Sequence, residues 1–138
     1  MFLDRSDAGR RLANALWAYK RQPSVVYALP RGGVAIGAEV AKALDAPLDL
    51  VMVRKIGHPL SPEYAIGAVT EDGDVICNPQ ETAQLDSRWL SAAAEEEMAE
   101  ARRRRSLYLR NIEPIEVQNK IAILVDDGIA TGLTMEAA

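Results

Sequence analysis

Apolar residues in this chain fall into short unbroken runs separated by stretches at helical spacing, the pattern of strands alternating with helices. Ile121, Ala122, Ile123, Leu124 and Val125 have no polar residue among them, which predicts a strand buried on both faces of a parallel sheet. Residues 25–29 (VVYAL) predict a second such strand, and residues 48–55, after Pro47, a third that ends in two cations. Over residues 7–20, Ala8, Leu12, Ala15, Leu16 and Tyr19 keep helical spacing, with Ser6 or Asp7 available as a cap. Helical pattern resumes at Val34 and runs to about Leu44. Residues 65–70 and 75–78 flank the turn signal Glu71-Asp72-Gly73-Asp74 and predict a hairpin. Residues 87–110 predict one long helix with a thin stripe of Leu90, Ala94, Met98, Ala101 and Tyr108. Glu95–Glu97 early and Arg102–Arg105 late complement the helix dipole, and Glu100 with Arg104 is a favourable i, i+4 pair.

The first predicted strand runs into Asp126 and Asp127 and then the turn Gly128-Ile129-Ala130-Thr131-Gly132-Leu133-Thr134, with a helix starting near Leu133 or Thr134. Strands of open α/β sheets deliver the residues that follow them to the edge where ligands bind. Paired carboxylates there accept hydrogen bonds from vicinal hydroxyls such as ribose O2 and O3. Unpaired backbone N–H groups and two threonine hydroxyls in the turn suit an anion. Together they describe a site for a phosphorylated sugar. Upstream, the strand 25–29 enters Pro30-Arg31-Gly32-Gly33, where two glycines let the main chain approach a ligand and Arg31 adds a charged fork. Arg54 and Lys55 end the third predicted strand, positioned for anions, and open a loop over residues 56–64 that carries a glycine and two prolines.

These segments resemble the type I phosphoribosyltransferases. VDDGIATGLT is similar to the motif with which that family binds phosphoribosyl pyrophosphate (PRPP), and RKIGHPLSPEYAIGAV to the catalytic-loop region of its xanthine and uncharacterised branches. FLDRSDAGRRLANAL resembles the start of uncharacterised members, which extends the likeness to nearly the whole chain. The resemblance implies an α/β fold: a three-layer, parallel-sheet phosphoribosyltransferase core with a β-hairpin and flexible-loop insertion. It implies transfer of the 5-phosphoribosyl group from PRPP to a nitrogenous base, a purine by the RKIGHP loop, with release of diphosphate. Asp126 and Asp127 would hold the ribose hydroxyls; Gly128, Ala130, Thr131, Gly132 and Thr134 the 5-phosphate; Arg31, Gly32 and Gly33 the diphosphate. Arg54 and Lys55 would stabilise the departing charge, and Asp127 counts with them among the catalytic candidates. Magnesium is implied, held mainly by diphosphate, ribose oxygens and water rather than by a protein cage.

Rival motifs fit less well. A P-loop needs lysine where Leu133 stands, a receiver domain carries its acids near its start, and a calcium loop needs oxygen ligands where Ile129 and Leu133 stand. Gly32, Gly33 and Gly37 give GGxxxG rather than the dinucleotide GxGxxG. His58, the single histidine, suits a turn better than acid–base work, and Cys77, the single cysteine, suits a buried structural thiol.

Composition adds limits. The chain has 138 residues, 49% hydrophobic and 26% charged, with a formal charge of −4 from 16 cations against 20 acids, which predicts one domain over residues 1–138. The acidic balance argues against nucleic-acid binding, and Arg102–Arg105 lack interleaved aromatics, so they suit a solvated helix face. The opening residues have no apolar run of signal or membrane length, so a cytoplasmic protein is expected. The chain stops soon after the phosphate turn, so the carboxyl-terminal part of the core is expected to be missing. The strand 121–125 is then expected to be left with an exposed apolar neighbourhood, and homo-oligomerisation, poor solubility or inactivity to follow. The alternatives are a PRPP-sensing regulatory domain without catalysis and an inactive remnant.

Overall fold

A computed structural model describes residues 1–130 and 132–138. These residues form two compact units, Met1–Val51 with Ile112–Ile129, and Met52–Asn111 with Ala130–Ala138.

The first unit is built on a parallel sheet of β1 (Ser24–Ala28), β2 (Leu48–Leu50) and β6 (Ile121–Val125), in the order β2-β1-β6. β1 lies between the other two, with Val26 opposite both Leu48 and Ile123. Helices α1 (Arg5–Ala15) and α2 (Gly32–Leu44) pack on the face carrying Val26, Ile123 and Val125, where Ala13, Ile36, Val40 and Leu44 complete the core. On the opposite face, Tyr27 Oη donates to the Ile115 carbonyl at 2.9 Å, and the Ile115 N–H donates to the buried Asp49 carboxylate at the same distance.

The second unit holds an antiparallel sheet of β3 (Val53–His58), β4 (Ser61–Thr70) and β5 (Val75–Cys77). A short helix α3 (Pro79–Thr82) and the long α4 (Ser87–Tyr108) follow, and α4 packs its Ala94 against Ile56, Ile66 and Val69. Helix α5 (Leu133–Ala137) closes the unit with Ala137 buried.

Several expectations change. Residues 48–55 are not one strand: β2 ends at Leu50 beside β1, and β3 starts at Val53 with β4 as its antiparallel partner. The stretch reads as continuous because both halves are apolar, but each half has a different sheet to bury it. The expected loop over residues 56–64 is mostly hairpin, turning at Pro59 and Leu60. Helix α1 begins at Arg5 and is capped by Asp4, whose side chain accepts from the Asp7 N–H, rather than by Ser6 or Asp7; a 3₁₀ turn over Trp17–Tyr19 follows its end. Helix α2 begins at Gly32, not Val34. β6 buries Ile123 and Val125 but exposes Ala122 and Leu124, because helices cover only one face of this edge strand. The expected hairpin and long helix are both present as β4–β5 and α4. Glu100 pairs with Arg104, and with Arg103 as well.

Glu71 offers a stability test inside the second unit. Its carboxylate meets Arg105 at 2.9 Å, and both side chains are only 15% exposed. Burial pushes the Glu71 carboxyl above its ordinary value, and Arg105 pulls against that. Arg105→Met leaves a largely buried carboxylate without this partner, so unfolding free energy at neutral pH is expected to fall by about 2 kcal/mol. Because the folded-state value is raised, the loss is present above it and is relieved as pH falls through it and Glu71 takes up a proton. Urea unfolding of both proteins at neutral and acid pH checks this; a loss that does not shrink in acid would assign the effect to packing.

Candidate functional site

In-register pairing of β6 with β1 ends at Val125, so the chain leaves the sheet with Asp126 and Asp127 at its edge. The Asp127 N–H donates to Asp126 Oδ1 at 2.8 Å, which fixes one carboxylate against the other's backbone. Asp127 Oδ2 accepts from Arg5 Nη2, also at 2.8 Å. That hydrogen bond lowers the Asp127 carboxyl below its ordinary value and outweighs the opposing loss of solvation. Asp127 is therefore an ionised acceptor throughout the neutral range, and the stability its pairing contributes fades only as pH falls through the lowered value. With the two side chains 62% and 38% exposed, that contribution is below about 1 kcal/mol.

The turn after β1 comes to the same place. The Leu29 N–H donates to the Val125 carbonyl at 2.9 Å, and the Gly33 N–H donates to the Leu29 carbonyl at 3.0 Å. The Pro30–Arg31 peptide is cis, and Arg31 occupies the amino-terminal cap position of α2 with its side chain exposed. Both glycines are explained by close approach: a Cβ on Gly32 would fall inside the Asp127 carboxylate, and one on Gly33 would stand 2.6 Å from the Val125 carbonyl oxygen. Asp126, Asp127, Arg31, Gly32 and Gly33, distant in sequence, thus converge on one sheet edge.

Beside them lies a cleft of about 570 Å³ lined by Phe2, Asp4, Arg5, Ala8, Leu12, Ile36, Asp126 and Asp127. Its lining combines apolar side chains with four charged ones. Arg5, Asp4 and Phe2 carried no expected site role. The only signal was the charged FLDR segment at the start of α1, and nothing local in it specifies contact with a residue more than a hundred positions away.

The remaining candidates are placed as follows. Gly128 is exposed at the start of the turn, and a side chain there would meet no other atom within 4 Å. Ala130 is exposed, Gly132 adopts a φ of 85° at the amino-terminal cap of α5, and Thr134 lies in α5's first turn; Ala130, Gly132 and Thr134 are described with the second unit. Thr131 lies outside the described residues. Arg54 and Lys55 do not end a parallel strand but sit in β3, where Arg54 Nε donates to Glu97 Oε2 at 2.7 Å and Lys55 is exposed. His58 Nδ1 accepts from the Leu60 N–H at 3.1 Å, a turn contact. Burial pushes the Cys77 thiol up, which opposes a nucleophilic role.

The arrangement can be compared with known proteins. The family model described as the phosphoribosyl transferase domain matches residues 3–138. The chain belongs to that family. Two Mycobacterium tuberculosis proteins, from strains CDC 1551 / Oshkosh and ATCC 25618 / H37Rv, bear the provisional name phosphoribosyl transferase; each is 44% identical over 140 residues. That alignment takes in all of this chain and 32% of each relative, so the phosphoribosyl transferase domain described here spans about a third of their length. The crystal structure of TT1426 from Thermus thermophilus is similar with a TM-score of 0.78 and 42% identity, over 99% of this chain and 65% of that one. The mixed α/β architecture with a parallel sheet is thus that of a phosphoribosyl transferase domain. No helix among the described residues is long and apolar enough to cross a membrane.

Proposed function

We propose that this phosphoribosyl transferase domain moves the 5-phosphoribosyl group of PRPP to a nitrogenous base, a purine, and releases diphosphate. The observation that carries the reading is the seating of Gly32 against the Asp127 carboxylate, which makes neighbours of the strand-end acids and the Arg31-Gly32-Gly33 turn. A ligand that presents vicinal hydroxyls and a diphosphate one bond apart needs both groups at one edge.

In this reading Asp126 and Asp127 accept from ribose O2 and O3. Arg31 with the Gly32–Gly33 backbone takes the diphosphate, and Gly128, Ala130, Thr131, Gly132 and Thr134 hold the 5-phosphate through N–H and hydroxyl donors. The C1–O bond to diphosphate breaks with its electron pair leaving on oxygen, the base nitrogen bonds to C1, and the base's proton passes to solvent. The sugar becomes cationic on the way, so catalysis rests on stabilising the departing charge and excluding water. Arg54 and Lys55 are assigned to that charge on the resemblance of their segment. Among the described residues no group of three or more His, Cys, Asp or Glu side chains is disposed to cage a metal. Asp126 and Asp127 supply the hard oxygen donors that suit a magnesium ion carried by the ligand, directly or through water. When bound, the ion would neutralise part of the diphosphate charge.

Isothermal titration of PRPP with magnesium into the chain tests the proposal. Saturable binding is expected, followed by diphosphate release when a purine acceptor is supplied. A folded chain that takes no PRPP would overturn it.

A further inference from the structure

The cleft poses an electrostatic problem. Asp4, Asp126 and Asp127 line it with three carboxylates, whereas the proposed ligand is a polyanion. Like charges at this range repel, and the penalty grows where the walls exclude water. Asp4 is committed to capping α1, its Oδ1 accepting from the Asp7 N–H at 2.7 Å. Arg5 is the cation that lines the cleft among the described residues.

Arg5 is also poorly used where it is. Of its five donors, one is engaged, by Asp127 Oδ2 at 2.8 Å, in a monodentate contact rather than the two-pronged arrangement that an arginine and a carboxylate readily make. The side chain is 62% exposed, so little packing holds it there. The carboxylate it touches is the one against which Gly32 is seated, so the guanidinium and the glycine turn are neighbours through Asp127. The first turn of α1, an element without an assigned site role, therefore brings a second arginine to the edge where Arg31 already stands.

We infer that Arg5 is a diphosphate-binding residue held on Asp127 until the ligand arrives. This rests on the phosphoribosyl reading above. As a ribose hydroxyl takes over Asp127 Oδ2, the guanidinium is released to turn its donors onto the diphosphate, where planar forked donors match phosphate oxygens. The pair thus keeps the acid oriented and the cation close, and both bonds are exchanged for ligand bonds on binding.

The test separates this role from simple orientation of Asp127. PRPP and ribose 5-phosphate, each with magnesium, share the sugar hydroxyls and the 5-phosphate and differ in the diphosphate. Titrated into the full chain, Arg5→Gln is expected to weaken PRPP about tenfold and to leave ribose 5-phosphate within about twofold, with Arg5→Lys recovering part of the loss. Equal weakening of both ligands would reduce Arg5 to a positioning residue for Asp127 and overturn the inference, and so would unchanged affinity for both. If the unaltered chain binds neither ligand, the phosphoribosyl reading fails and the inference falls with it. Thermal unfolding of each variant shows whether any loss is one of folding.

Discussion

Asp126→Asn/Asp127→Asn is expected to weaken PRPP binding by at least about 100-fold while the chain stays folded. Each carboxylate is proposed to accept from a ribose hydroxyl, and a hydrogen bond to a charged acceptor contributes about 1.5–3 kcal/mol, so two of them account for the factor. Asparagine keeps the shape and one acceptor oxygen but replaces the other with an NH₂ that cannot accept. The direction of the effect is informative in itself. Removing two negative charges from a cleft lined by Asp4, Asp126 and Asp127 should help a polyanion by relieving long-range repulsion. A loss of affinity would therefore have to come from specific bonds. Stability should change little, since the partner lost by Asp127 is the exposed Arg5. Isothermal titration of PRPP with magnesium, beside a thermal melt of the same preparation, measures both quantities. Unchanged or tighter binding would remove the two acids from the ligand site.

The two adjacent glycines are expected to fail in different ways when each is changed to alanine. At Gly33 the new methyl would stand 2.6 Å from the Val125 carbonyl oxygen and 3.1 Å from the Asp126 Cα, both backbone atoms. That carbonyl already accepts from the Leu29 N–H, and its strand is locked in register with β1, so it cannot retreat without loosening the sheet. Alanine in place of glycine favours a helix by about 1 kcal/mol, but overpacking against fixed backbone costs more, and a net loss of about 2 kcal/mol is expected in urea unfolding. At Gly32 the three atoms nearest the new methyl all belong to the Asp127 carboxylate, the far end of an exposed side chain rather than backbone. The carboxylate can swing aside, so Gly32→Ala should keep its stability within about 1 kcal/mol and lose PRPP affinity by about tenfold as Asp127 leaves Arg5 and the ribose position. Equal behaviour of the two variants in both assays would contradict the close-approach account of this turn.

Features whose cause is local could be read from the chain. The apolar run before Asp126 specified β6, the Asp-Gly turn between β-prone segments specified the β4–β5 hairpin, and helical periodicity with charges matched to the dipole specified α4. The diacid turn was legible for the same reason: its residue types make sense only beside one another.

Other features needed the assembled chain. Residues 48–55 look like one strand because nothing local marks the point where one sheet stops covering the backbone and another starts; only the competing partners β1 and β4 divide it. β6 looks buried on both faces because a run of apolar residues does not say how many faces have neighbours.

Turn chemistry and side-chain periodicity act over a few residues, so the strand-turn-helix segments, the acids and glycines at their ends, and through them the family, are written in the chain. Folding, in contrast, was needed to bring Gly32 against Asp127 and Arg5 to the same carboxylate. Those contacts join segments far apart in the chain, and the parallel pairing of β1 with β6 sets where their ends meet.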